Sequence, residues 1–172
     1  LGLPDGKYAA HVSVVDMAGN SSSAGWTPDF TVDSSVPTTT VNSATVVGDT
    51  LSFDGSVSDT NLNYYYCYLT TNQTIVVDGH TFTRGQEVRL SNNADSSRNA
   101  ACTTKWAGGQ TAFNGTLGGF NITNVPDGNY TINLVAHDKL GNHNAANPTK
   151  YEVVLDRTDP VVELVAPLTV TA

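Results

Sequence analysis

The side chains with the most chemical capacity in this sequence are short carboxylates. Thirteen of its sixteen acidic residues are Asp, and they fall between strand-like stretches rather than within them. An Asp at a turn can accept hydrogen bonds from nearby backbone N–H groups and fix the turn. Several Asp oxygens converging from different turns can instead ligate a hard cation such as Ca²⁺. Cys67 and Cys102 are the two thiols. With no C-x-x-C and no His beside either, zinc ligation is a poor fit, whereas one intrachain disulfide suits an oxidising compartment. The chain-entropy model gives that bridge about 3 to 4 kcal/mol, and a buried free thiol at Cys67 is the competing reading. Tyr64, Tyr66 and Tyr68 share one parity, so Tyr64 and Tyr66 are candidates for stacking on a glycan ring, unless the chain itself covers that face. Asn20, Asn72, Asn114, Asn121 and Asn129 each open an Asn-x-Ser/Thr triplet and are candidate glycosylation sites, although composition alone accounts for about three such triplets. His11, His80, His137 and His143 show no HExxH spacing, no Ser lies in G-x-S-x-G, and no Gly-rich loop joins a strand to a helix. Nothing here resembles a catalytic constellation, and the expectation is a protein that is not an enzyme.

Composition narrows the setting. The net charge is −8 and the isoelectric point about 4.6, with no Lys/Arg cluster, so the electrostatic basis of nucleic-acid binding is missing. No apolar run approaches the roughly 18 residues of a membrane-spanning helix. The opening Leu1-Gly-Leu-Pro-Asp-Gly has neither an initiator Met nor a signal-peptide pattern, which reads as a processed or cropped piece. Ser, Thr and Asn make up roughly a third of the residues, a composition poor in helix formers. The elements that must position these side chains are therefore strands. Tyr8, Ala10, Val12 and Val14 alternate with Ala9, His11 and Ser13, and Tyr130, Ile132, Leu134 and Ala136 alternate with Thr131 and Asn133. That is the two-residue period of a half-buried strand. Each run ends in Asp-x-x-Gly-Asn and is followed by a second strand, expected over 26–32 and 149–155, so both copies read as hairpins. Further strands are expected over 38–44, 50–57 and 64–70 and ending at Phe120 and Ile122, giving about seven antiparallel strands and no helix: a β-sandwich.

The two hairpins are copies of each other. Leu3-Pro-Asp-Gly-Lys-Tyr8 with Asp16-Met-Ala-Gly19-Asn20 returns as Val125-Pro-Asp-Gly-Asn-Tyr130 with Asp138-Lys-Leu-Gly141-Asn142, an offset of 122 residues, and Asp33 and Pro37 return as Asp156 and Pro160 at 123. Self-similarity at a fixed period marks repeat architecture. The division expected is 1–36 as the C-terminal strands of one repeat, 37–159 as a complete repeat, and 160–172 as the first strand of the next: tandem units, one complete and two partial. The complete unit exceeds the roughly 100 residues of a minimal sandwich, and the excess is an insertion at about 71–111. Within it Thr74–Thr83 carries an Asp78-Gly79 hairpin signal, while 91–99 is polar enough for an exposed loop.

These motifs, Leu/Val-Pro-Asp-Gly-x-Tyr, Asp-x-x-Gly-Asn, and Val-Asp or Leu-Asp followed by Pro, resemble the bacterial and archaeal Ig-like repeats of large surface proteins, adhesins and cell-envelope fibres. The resemblance covers about two-thirds of the chain and implies tandem Ig-like antiparallel sandwiches in an extracellular, cell-surface setting. In that fold the chain enters a unit at one end and leaves at the other. Asp5 and Asp33 then belong to the exit end of the first unit, and Asp59 and Asp138 to the entry end of the second. The four form a candidate Ca²⁺ site at the junction, with turn capping and solvation as the alternative. The resemblance implies a structural or adhesive role in a fibre, stalk, surface layer or adhesin. Partners are neighbouring repeats of the same chain, or identical subunits joined by strand complementation. A glycan- or protein-binding module, or an accessory domain of a secreted hydrolase, are the other roles such repeats take.

Overall fold

The computed structural model describes residues 2–77, 79–89, 105–106 and 109–161. The strands are β1 (Gly6–Tyr8), β2 (Ser13–Val15), β3 (Ser21–Ser23), β4 (Phe30–Val32), β5 (Thr38–Val47), β6 (Thr50–Ser58), β7 (Leu62–Thr70), β8 (Ile75–Val77), β9 (His80–Phe82), β10 (Glu87–Arg89), β11 (Lys105–Trp106), β12 (Ala112–Asn121), β13 (Gly128–Asp138) and β14 (Thr149–Leu155). Every pairing is antiparallel, and no helix occurs among the described residues. The all-β sandwich expected from the two-residue periodicity is the observed architecture.

Two layers make the sandwich. One is the sheet β12-β6-β5, and the other has β13 at its centre, with β14 on one edge and β7 on the other. Alternation decides what faces inward. Leu51, Phe53 and Val57 on β6 lie within 1% of full burial, as do Ile132, Leu134 and Ala136 on β13 and Tyr65, Cys67 and Leu69 on β7. Their neighbours Ser52, Asp54, Ser56, Asn63 and Thr131 face outward and keep contact with water. The outer layer follows the same parity: Thr38, Thr40, Ser43 and Thr45 lie opposite Ser58, Ser56, Asp54 and Ser52. Register shifts at Val41/Ser43 and Thr116/Gly118 flank β6 on both sides, the extra residues that bend and twist a strand pair.

The insertion is part of this core rather than a decoration upon it. β8 and β9 form a hairpin through Gly79, whose φ of 78° is the left-handed geometry that Asp-Gly turns require. Its Ile75, Val77 and Phe82 join the central cluster with Val88 of β10. β10 and β11 both pair with β7, at Thr70–Tyr68 and at Tyr65–Tyr64, so the insertion widens the sheet at that edge. The expected exposed loop at 91–99, and residues 162–172 of the strand expected over 160–172, lie outside the described residues.

The N-terminal hairpin differs from its expected form. A continuous strand through Tyr8–Val14 is replaced by β1 and β2, because residues between them pair with side chains and offset carbonyls. Ala10 N donates to Thr27 Oγ1 at 2.8 Å, Thr27 N to Ala10 O and Ala24 N to Val12 O. The second strand is likewise confined to β3 and β4. Even so, the recurrence reaches atomic detail. Tyr8 Oη donates to Pro4 O at 2.7 Å and Tyr130 Oη to Pro126 O at 2.7 Å. Tyr8 lies opposite Phe30 as Tyr130 lies opposite Val153, and Val15 pairs with Ser21 where His137 bridges His143.

Close backbone approach requires glycine at Gly55 and at Gly119, where a Cβ would fall 2.6 Å from the Leu51 carbonyl oxygen. A Cβ on Gly55 would overlap the Thr40 carbonyl oxygen and the Leu117 side chain, whereas one on Gly25 meets nothing within 4 Å. Gly55→Ala is therefore expected to cost about 1–3 kcal/mol or more in urea unfolding, and Gly25→Ala to fall within about 0.5 kcal/mol of the parent. Equal midpoints for the two variants would refute the packing of β5 against β6.

Candidate metal centre at the linker

Three of the four carboxylates expected to meet do so. Asp33, at the start of the linker, Asp59, after β6, and Asp138, at the end of β13, each place an oxygen within 4.8 Å of the others. The linker is bound to the two loops beneath it. Asn61 Nδ2 donates to Asp33 Oδ2 at 2.5 Å, and Asn142 Nδ2 donates both to the Asp33 carbonyl at 2.8 Å and to Asp138 Oδ2 at 2.7 Å. Asp138 is 3% exposed and ties its own turn, accepting from Leu140 N and Asn142 N on Oδ1. Gly141 supplies the left-handed residue of that turn, with φ of 99°. Asp59 caps the next loop through Asn61 N at 2.6 Å. Turn capping and convergence are therefore not alternatives here, because the same carboxylates do both.

Asp5 stands outside the group. Its carboxylate accepts from Ser34 N, Ser34 Oγ and Ser35 Oγ at 2.9, 2.9 and 3.0 Å, pinning the linker to the turn before β1 and lining a neighbouring cleft with Lys7, Asp33 and Asn61. Its counterpart Asp127 does the same for the following linker, accepting from Arg157 N and Nε, while the Arg157 guanidinium also reaches Ile122 O and Val125 O.

The electrostatics of the three carboxylates are uneven. The side-chain amide of Asn61, followed by the Ser35 donors, holds Asp33 below the ordinary carboxylate value. Burial pushes Asp59 up, and the charges of Asp33 and Asp138 add to that despite the opposing bond from Asn61 N. Crowded anionic oxygens with lone pairs to spare are what a divalent cation relieves. Oxygens held 2.3–2.6 Å from one Ca²⁺ lie up to about 5 Å from each other, so the observed spacing fits a single ion. The donor set is hard oxygen, with no thiolate or imidazole among the three.

The other candidate residues are placed as follows. Cys67 is fully buried on β7 with its thiol free among the described residues, and Cys102, its expected disulfide partner, lies outside them. Burial in the sandwich interior, among Leu134-facing core positions, drives the thiol's ionisation far upward. Tyr64, Tyr66 and Tyr68 do share the outer face of β7, but the row is not open. Tyr64 stacks on His137 with ring centroids 4.5 Å apart, and the Arg89 guanidinium lies 3.8 Å over the Tyr66 ring, leaving Tyr66 only 9% exposed. Arg89 of the insertion thus covers Tyr66, while Tyr64 and Tyr68 remain half-exposed. Asn20, Asn72, Asn114, Asn121 and Asn129 are all exposed. Trp26 is 70% exposed and packs against the His11 ring. The role of Asn61 and Asn142 was missed in the sequence, although Asn142 closes the repeated Asp-x-x-Gly-Asn motif and its partner Asn20 bonds Asp16 in the same way.

Two expectations follow. Since Asp59 titrates above 3.8 in the folded chain, its contribution to stability is complete below that pH and is lost as pH rises through the folded value. In metal-free protein the Asp59 contribution should decline as pH rises above 3.8, and Asp59→Asn should remove that decline; an unchanged slope would refute the crowding. Cys67 should resist aromatic disulfide reagents in the native state and react on unfolding, and its intact mass should be the same with and without reductant. A gain of two mass units on reduction would restore the disulfide.

No curated protein matches this chain, and no helix among the described residues is long and apolar enough to cross a membrane. Residues 116–171, a third of the sequence, match the family model of the bacterial Ig-like domain (group 3). That stretch runs from β12 through β13, the Asp138 turn and β14 into the following linker, so the part of the chain that carries Asp138 is similar to a bacterial Ig-like domain.

Proposed function

We propose that this chain is a load-bearing segment of a bacterial surface or extracellular protein, in which Ig-like units follow one another and calcium stiffens the joint between them. A bacterial Ig-like domain is a module of the cell surface or extracellular space, and such domains are typically structural rather than catalytic. The units are 1–36, 37–159 and 160–172, the first and last being parts of sandwiches. The observation that carries the reading is the convergence of Asp33 from the linker with Asp59 and Asp138 from two loops of the sandwich. One ion held by all three would couple the direction of the linker to the body of the unit. The carbonyl and carboxylate bonds from Asn142 and Asn61 already restrain that linker, Pro37 restricts its backbone further, and the ion would remove the remaining repulsion.

The mechanical logic follows from the fold. Pulling on such a chain loads β5 and β14, the strands next to the linkers, against their long antiparallel ladders. Many backbone hydrogen bonds must then yield together. A flexible joint would waste this resistance by bending first, so stiffness at Asp33 serves extension.

Calcium at a hundredfold excess over Kd should stabilise the protein by about 2.7 kcal/mol, raise Tm by several degrees, and narrow the spread of solution dimensions in small-angle scattering. Asp33→Asn should abolish both responses, while Asp5→Asn should keep them. Identical melting and scattering in EDTA and in millimolar calcium would refute the reading.

A further inference from the structure

Among the described residues, the hairpin formed by β1 to β4 presents an apolar face with no layer upon it. Through the shared turns, Val12 corresponds to Leu134, Val14 to Ala136, and Phe30 to Val153. The three positions are buried in the sandwich, at 0%, 0% and 7% exposure, whereas in the hairpin they are 62%, 61% and 42% exposed. The same is true of the edge. In β13 the backbone from Asn133 to Asp138 is paired to β7, and within the corresponding stretch from His11 to Asp16 the one ladder among the described residues is on the other side, Ser13–Val15 with β3. The sandwich therefore records what such a hairpin accepts: β12-β6-β5 covers the face and β7 completes the edge.

We infer that the face carrying Val12, Val14 and Phe30 is a docking surface for four strands of an Ig-like repeat of this chain's own kind, the counterparts of β5, β6 and β12 as a three-stranded antiparallel sheet over the face and the counterpart of β7 on the free edge. This rests on the tandem-repeat reading above and names the partner that reading requires. The register on the edge is specified as well: the incoming strand runs antiparallel and places its residues opposite His11 to Val15 as Tyr68 to Tyr64 lie opposite Asn133 to His137. A second intact copy is a poor occupant, because its β12-β6-β5 layer is already closed over its own β13 and β14.

The test grafts residues 37–124 in frame before Leu3 of the full chain. Asn124 is naturally followed by Val125, the counterpart of Leu3, so the graft keeps the phase of the repeat. Amide hydrogen exchange of residues 8–17 should slow at least tenfold relative to the ungrafted chain, with residues 128–138 reporting that the original sandwich remains folded. Val12→Asp in the graft should return residues 8–17 to fast exchange. Supplying 37–124 as a separate polypeptide covers a graft that fails to fold. Fast exchange of residues 8–17 in both formats, protection indifferent to Val12→Asp, or an ungrafted chain that already protects this face by self-association would each overturn the inference. Calcium stiffening is read at Asp33, Asp59 and Asp138 in the ungrafted chain, so failure here and failure there are told apart.

Discussion

The inward row of β13 is the constraint on which the structure depends. Tyr130, Ile132, Leu134 and Ala136 lie on the central strand of one layer, and they are buried because a second layer faces them and strands flank them on both edges. A strand of this kind cannot be stable by itself: its apolar face gains only when covered, and burial of each large side chain contributes about 1.5–3 kcal/mol. β5, β6, β7, β12 and β14 are arranged around that requirement. The same sequence pattern in the N-terminal hairpin, without those neighbours, leaves Val12 and Val14 facing water. Identical local coding thus yields a core in one copy and a sticky surface in the other.

The end of β13 turns this packing into a joint. Asp138 is buried because the strand that carries it is central, and its carboxylate is tolerated there because Leu140 N, Asn142 N and Asn142 Nδ2 satisfy it. Asn142 then spends its second amide hydrogen on the linker carbonyl of Asp33. A turn that closes a hairpin thereby also orients the segment entering the sandwich. Asp59 completes the arrangement at an electrostatic cost, visible in its upward titration. That cost, burial first and the charges of Asp33 and Asp138 after it, distinguishes this cluster from Asp5 and Asp127, whose charges are matched by hydroxyls, backbone donors or Arg157.

The insertion shows how a surface that suggests binding can be structural. Three tyrosines of one parity on β7 form the sort of aromatic row that stacks on sugars. Here β10 extends the sheet beside them, Arg89 lies over Tyr66, and His137 lies against Tyr64. Ile75, Val77 and Phe82 pack into the same core. The added residues enlarge the hydrophobic interior and widen one sheet, which explains why a longer unit need not carry a ligand.

Much of this was determined by the sequence alone. Two-residue alternation fixes which residues of Tyr130–Ala136 point inward, Asp-x-x-Gly-Asn specifies its turn through local bonds within five residues, and the period between Tyr8 and Tyr130 shows that the hairpin occurs twice. The bounds of β14 follow from the same local logic. Tertiary structure decided what is not local. It chose Asp33, Asp59 and Asp138 as neighbours and gave Asp5 to Ser34 and Ser35, it kept Cys67 as a buried thiol, and it buried Tyr66 in the middle of the tyrosine row. It also broke the first strand into β1 and β2, a choice that depends on Thr27 and Ala24 reaching across the hairpin. The physical reason is common to all of these: side-chain periodicity and turn chemistry are set by residues a few positions apart, whereas convergence, coverage and exposure depend on which distant surface arrives to share the space.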